Sequence, residues 1–172
     1  MRVSVVIPAF NEAGNTAALV KETYDVVPAQ VLAEVIVVDD CSDDATGAEV
    51  KALIGTLPGL RYLRHASRSG QSTAMRTGIL AASSPVIATM DGDGQNDPAD
   101  IPALLALLDA ADMVVGIRAG RRDSWLRRAM SKFANAIRGR LLDDRMQDSG
   151  CALKVFRREV VPVLLPLKTL YS

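Results

Sequence analysis

Short runs rich in Val and Ile recur along the chain at 2–7, 34–39, 60–65, 85–90 and 112–117, too short for helices and of strand-favouring composition. They are nearly continuous in apolar character, lacking the alternation of a half-solvated strand, which is the pattern of parallel strands buried on both faces. Between them apolar residues fall at helical spacing over 15–27, 43–55, 71–82 and 99–110, with Asn15 and Asp43 positioned as caps. Regular alternation of strand and helix predicts an α/β fold: a mostly parallel, Rossmann-like sheet with helices on both faces. Over 124–140 the residues Trp125, Leu126, Ala129, Met130, Phe133, Ala134 and Ile137 form one helical stripe. A last strand over 151–156 leads into a Pro-broken helix.

A length of 172 residues predicts a single domain spanning 1–172. With 49% hydrophobic and 23% charged residues the chain is expected to fold, and 20 basic against 20 acidic residues leave no bulk charge to attract nucleic acid, so none is expected as a partner. The apolar runs fall far below the roughly 20 residues of a membrane-spanning helix. The amino terminus lacks a small-residue cleavage site, so a cytoplasmic chain is expected. Cys41 and Cys151 have neither metal-binding nor redox spacing and are expected to be buried free thiols.

In a parallel sheet of this kind ligands bind beyond the carboxyl ends of the strands. Three polar segments fall there: Pro8-Ala9-Phe10-Asn11-Glu12, Asp39-Asp40-Cys41-Ser42-Asp43-Asp44 and Asp91-Gly92-Asp93-Gly94-Gln95. No G-x-G-x-x-G follows the first strand and no phosphate-binding G-x-x-x-x-G-K-[ST] occurs, which argues against a dinucleotide enzyme or P-loop ATPase. A calcium loop beginning at Asp91 fails because its sixth position is Asn96 and its twelfth Pro102. Asp91 and Asp93, two apart at a strand end, can instead share one hard cation, with Gln95 adding a neutral oxygen and Gly92 and Gly94 leaving room for a phosphate. A solvated Asp-Gly turn is the alternative; three acid-bearing loops on one edge weaken it, because carboxylates repel unless a cation compensates.

Taken in order, these segments, followed by Asp148-Ser149-Gly150 and Phe156-Arg157, resemble the family 2 glycosyltransferases of GT-A fold, and among them the dolichyl- and polyprenyl-phosphate sugar transferases. The resemblance covers essentially the whole chain. It implies that Pro8, Phe10, Glu12 and Asp40 contact the nucleoside of a GDP- or UDP-linked sugar, with Asp39 supporting that loop. It further implies that Asp91, Asp93 and Gln95 hold Mg²⁺ or Mn²⁺ against the diphosphate. Gln71, in a loop where relatives often carry Lys, is a candidate nucleotide contact, and Ser69-Gly70-Gln71-Ser72 supplies no cation. Arg157 is expected near the diphosphate, and Asp148 is expected either to orient sugar or acceptor or to pair structurally with an Arg. His65, the single histidine, reads as structural.

The acceptor side has an independent signal. Eight basic residues and the one acid Asp123 give 118–140 a net charge of +7, set beside the apolar stripe. Cations next to an apolar surface suit the head and tail of a lipid phosphate at an anionic membrane, so a peripheral location at the cytoplasmic face is expected. By resemblance, Arg118, Arg127 and Ser131 bind the acceptor phosphate, with Asp93, Arg127 and Asp148 nearest the chemistry. The implied reaction is metal-dependent and inverting, from nucleotide sugar to polyprenyl phosphate. Alternatives are a saccharide hydroxyl as acceptor, which would need Asp148 as general base, and an inactive nucleotide-sugar-binding fragment. Relatives usually continue with another strand and a basic Ser-Lys-Tyr-containing loop, so the chain is expected to lack that carboxyl-terminal segment.

Overall fold

The computed structural model describes residues 1–116 and 152–164. The first stretch contains β1 (Val3–Ala9), α1 (Asn15–Val26), β2 (Leu32–Asp39), α2 (Thr46–Lys51), β3 (Leu60–Arg64) and α3 (Gln71–Ala81). It continues with β4 (Val86–Thr89), α4 (Ile101–Ala106) between two 3₁₀ turns, and β5 (Met113–Val115). The second stretch holds β6 (Lys154–Arg157) and α5 (Val161–Leu164). The six strands form one sheet in the order β3-β2-β1-β4-β6-β5.

Five strands, β1 to β5, point the same way, as the apolar runs predict, but β6 lies antiparallel between β4 and β5. Lys154 stands opposite both Thr89 and Val115, the carboxyl ends of β4 and β5. The Gly116 amide then donates to the Leu153 carbonyl at 2.9 Å. The chain therefore leaves the sheet after β5 and re-enters it before β6 at one point on the carboxyl edge.

Period-two alternation carries β1 into two cores. Val3, Val5 and Ile7 pack with Leu19 and Val20 of α1 and with Ile101 and Leu108, while Val6 faces Ala74, Met75 and Ile79 of α3 together with Phe156. Helix α3 sits directly on the strands at Gly78, where an added Cβ would collide with Val6 and crowd Val38.

Several boundaries differ from expectation. Helix α2 is half the predicted length and begins after Ala45, because Asp43 spends its amide on Asn11 Oδ1 while Asp44 Oδ1 receives the Thr46 amide at 2.9 Å. Asn15 is the first residue of α1 instead of its cap; the cap is Gly14, at φ +81°. Cys41 is a free thiol but only partly buried, on a left-handed turn at φ +68°. The predicted helix 124–140 and Cys151 lie outside the described residues.

Candidate functional site

A cleft opens where the neighbours of β1 part. β1 follows β2 to the pair Ala9 and Asp39 but follows β4 only to Val6 and Thr89. Sequence order in the sheet also reverses here, the position at which open α/β sheets bind ligands. Met90 donates to the Val6 carbonyl, so by alternation position 8 faces the same side, where β4 has already turned away. Pro8 therefore costs the ladder no hydrogen bond.

The cleft has a volume of about 330 Å³ and is lined by Pro8, Ala9, Phe10, Glu12, Asp40, Arg68, Gly70, Gln71, Asp91, Gly92 and Asp93. The loop after β1 is fastened to the loop after β2 amide by amide. Asn11 N reaches Ser42 Oγ at 3.0 Å, Glu12 N reaches Thr46 Oγ1 at 2.8 Å, Ala13 N reaches Asp44 Oδ2 at 3.0 Å and Gly14 N reaches Glu49 Oε2 at 2.7 Å. Phe10 and Glu12 are presented from a held loop, and the Glu12 carboxylate accepts from Asn15 Nδ2 at 3.0 Å.

Asp39 does not line the cleft. Its buried carboxylate accepts from Ser42 N at 2.8 Å, from Arg64 at 2.6 Å and from Tyr62 Oη, tying β2, β3 and the next loop together. Burial would raise this carboxyl, but the hydrogen bonds from Ser42 and Tyr62 and the Arg64 charge outweigh it and hold it low. Asp40 reaches the cleft while anchoring the loop after β3: Oδ1 accepts from Ser69 N at 2.8 Å and lies 2.7 Å from His65 Nδ1, and Oδ2 accepts from Gly70 N at 2.7 Å. Here too burial alone would raise the carboxyl, and bonds from His65, Ser69 and Gly70 overcome it. His65 Nε2 meets Thr77 Oγ1 at 2.9 Å, the structural role expected of it.

On the far wall, Asp91 Oδ1 accepts from Gln71 Nε2 at 2.6 Å and Asp93 Oδ1 accepts from the Gln95 amide at 3.0 Å. Gln95 itself is exposed and is not among the lining residues. Gly92 is needed for a reason other than phosphate access: a Cβ would lie 2.8 Å from the Pro8 carbonyl oxygen and 3.2 Å from Thr16 Oγ1. Gly94 has open space around it but takes φ +73°, a left-handed conformation that favours glycine. Among the described residues no cluster of three or more His, Cys, Asp or Glu encloses a metal position. Two carboxylates are hard oxygen donors that fit Mg²⁺ or Mn²⁺ when substrate phosphates complete the shell.

Arg157, expected near the diphosphate, does not reach the cleft. Because β6 runs antiparallel, its last residue stands opposite Val86, at the amino end of β4 and the edge away from the cleft. There its guanidinium donates to the Leu108 carbonyl at 2.8 Å and lies 3.6 Å from Asp112, so it is not positioned for a diphosphate in the cleft. Conversely, the loop before α3 does bring a cation: Arg68, one residue ahead of the segment read for one, stacks 4.1 Å from the centroid of the Phe10 ring. A basic residue just before the Ser-Gly that opens α3 was the available signal. Arg118, Arg127, Ser131 and Asp148 lie outside the described residues.

The profile described as Glycosyl transferase family 2 matches residues 4–165. The chain belongs to glycosyl transferase family 2. Within curated members of this family, it is 38% identical over 170 residues to dodecaprenyl-phosphate galacturonate synthase of Rhizobium johnstonii, across 94% of this chain and 49% of that protein. The chain thus spans about half the length of that relative. A mannosyltransferase of Pyrobaculum calidifontis, solved with GDP-Man and Mn²⁺, superposes with a TM-score of 0.71 at 24% identity, over 95% of this chain and 46% of that one. Glucosyl-3-phosphoglycerate synthase of Mycobacterium tuberculosis, solved with Mn²⁺, UDP and phosphoglyceric acid, gives a TM-score of 0.71 at 21% identity, over 92% and 56%. These likenesses establish the GT-A fold for this family 2 chain. No helix among the described residues is long and apolar enough to cross a membrane.

Proposed function

We propose that the protein transfers a sugar from a GDP- or UDP-linked donor to polyprenyl phosphate, using Mg²⁺ or Mn²⁺, at the cytoplasmic face of a membrane. The observation that carries this reading is the convergence of Phe10, Asp40, Asp91 and Asp93 on one cleft at the switch point of a family 2 fold. The 38% identity to a dodecaprenyl-phosphate sugar synthase supports the lipid acceptor.

Phe10 offers a ring for the nucleobase to stack against, with Pro8, Glu12 and Asp40 around the nucleoside. Asp91 and Asp93 would hold the metal, which supplies positive charge for the departing diphosphate. Gln95 would have to turn inward to join them, since its side chain is exposed. We assign the acceptor phosphate to Arg118, Arg127 and Ser131, with Asp148 orienting sugar or acceptor; the chain after this segment re-enters the sheet at Lys154, which pairs with Thr89 at the carboxyl end of β4. A phosphate with a second pKa of about 6 is already an anion at neutral pH, so these residues orient it without a strong base. A phosphate oxygen then bonds to the anomeric carbon as the bond to the diphosphate oxygen breaks, inverting the centre. The bonding electrons depart with the diphosphate.

Full-length protein should transfer label from a nucleotide sugar to polyprenyl phosphate in detergent with Mn²⁺. Sugar transfer to a saccharide hydroxyl, indifferent to the lipid, would overturn the acceptor assignment. Replacing Arg118 or Arg127 with Ala should cost about 1.5–3 kcal/mol of transition-state stabilisation, the worth of a charge-assisted hydrogen bond, while donor affinity holds. Lys should restore little, lacking the guanidinium fork. Arg122→Ala is the control, and equal small losses at all three would reduce the segment to a diffuse membrane-attracting surface. Phe10→Ala should weaken UDP and GDP binding by about 1–3 kcal/mol, the worth of base stacking on an aromatic ring. Calorimetry giving an unchanged Kd would remove Phe10 from the nucleoside pocket.

A further inference from the structure

Gln71 is the first residue of α3 and its side chain crosses the cleft to the far wall, Nε2 to Asp91 Oδ1 at 2.6 Å. Little freedom remains in where it starts from. The preceding Gly70 amide is held by Asp40 Oδ2 at 2.7 Å, and nearly two helical turns further on, Thr77 is held by His65, itself bonded to Asp40 Oδ1. Gly78 seats the helix on β1 and β2 without an intervening side chain. A rigid helix with a fixed first residue is a suitable arm for orienting a carboxylate, because a partner that immobilises a ligand's oxygen lowers the cost of ordering it when the ion arrives.

We infer that Gln71 is a positioning residue for Asp91, and that the run Asp40, Gly70, Gln71, Asp91 couples the nucleoside end of the cleft to its metal end. This rests on the donor site proposed above. Gln71 then acts through Asp91 and makes no contact on which the nucleotide depends. A nucleotide bound against Asp40 and an ion bound at Asp91 then rest on one frame that is already ordered, and by linkage whatever factor the nucleotide adds to the metal's affinity the metal adds to the nucleotide's.

The test is a cycle of four dissociation constants on the full-length protein: UDP and GDP, each with Mn²⁺ and with chelator, for the natural chain and for Gln71→Ala. Mn²⁺ affinity is read separately from its electron paramagnetic resonance signal in the presence of UDP. The expected result is that Gln71→Ala weakens Mn²⁺ by about 10- to 100-fold, the usual effect of losing a partner that orients a metal ligand. The chelator affinities and the melting temperature should not move. Gln71→Glu, which sets a second carboxylate against Asp91, should not rescue. Equal loss of nucleotide affinity with and without Mn²⁺ would overturn the inference and make Gln71 a direct nucleotide contact. No change in any constant would make the 2.6 Å bond incidental. A natural chain whose nucleotide affinity ignores Mn²⁺ would instead overturn the donor-site reading on which the inference rests.

Discussion

Asp93→Asn is expected to lower sugar transfer by about 10²- to 10³-fold, comparable to removing one preorganised group that stabilises developing charge. The substitution is isosteric and keeps an oxygen to accept the Gln95 amide, the one hydrogen bond recorded for this carboxylate among the described residues. The turn after β4 should therefore persist, and so should the fold. Only the negative charge is lost. If that charge holds the ion that carries the leaving diphosphate, kcat falls and the gain in UDP or GDP affinity from Mn²⁺ or Mg²⁺ shrinks together with it. Steady-state transfer kinetics, alongside nucleotide titrations with metal and with chelator, separate the two effects. A variant with undiminished metal dependence would remove Asp93 from the metal site.

The second large effect concerns stability and lies at the opposite edge of the sheet. Glu34, on β2, is buried; its Oε1 accepts from Ser4 Oγ and the Ser83 amide, both at 2.7 Å, and from Ser83 Oγ, while Oε2 takes Arg61 at 2.8 Å. Burial would raise this carboxyl, but the hydrogen bonds from Ser83, Arg61 and Ser4 prevail and bring it down to about 2 from an ordinary 4.5. A depressed carboxyl contributes stability that is complete above its unfolded value and disappears as the pH falls through the folded one. The window is therefore pH 4.5 down to about 2, and the amount about 3 kcal/mol. Glu34→Ala should cost about 3–5 kcal/mol at neutral pH, because it leaves Ser4, the Ser83 amide and Arg61 without their shared acceptor. Glu34→Gln should flatten the stability profile between pH 4.5 and 2. Urea titrations across that range, read by circular dichroism, decide it, and a variant that keeps the slope would shift the acid sensitivity to another group.

The convergence of the three polar segments on one cleft was legible because chemistry and topology agree there. Acids and a Pro-Ala-Phe segment fall at the ends of parallel strands, and parallel strands deliver their carboxyl ends to one edge. Strand direction is less legible: Lys154–Arg157 has the composition of any buried strand, and nothing in its residues tells that β6 enters between β4 and β5 in reverse. The misplacement of Arg157 follows from that alone. Arg68 was hidden differently, since its contact is with a ring 58 positions earlier and only the fold makes them neighbours. The same holds for Gln71 and Asp91, twenty apart in sequence and joined across the cleft. Asp39 and Asp40 look alike as neighbours in the sequence, yet alternation turns one into the core and the other to the cleft.

The shared register of Thr89 and Val115 on Lys154 bears on how such proteins diversify. The passage from 117 to 151 begins and ends at a closed point of the sheet, so its ends stay together whatever lies between them. Exchange of this stretch would then leave the register of the strands that frame the cleft unchanged. Chimaeras exchanging 117–151 between family members would ask whether acceptor preference travels with that stretch, independently of donor preference.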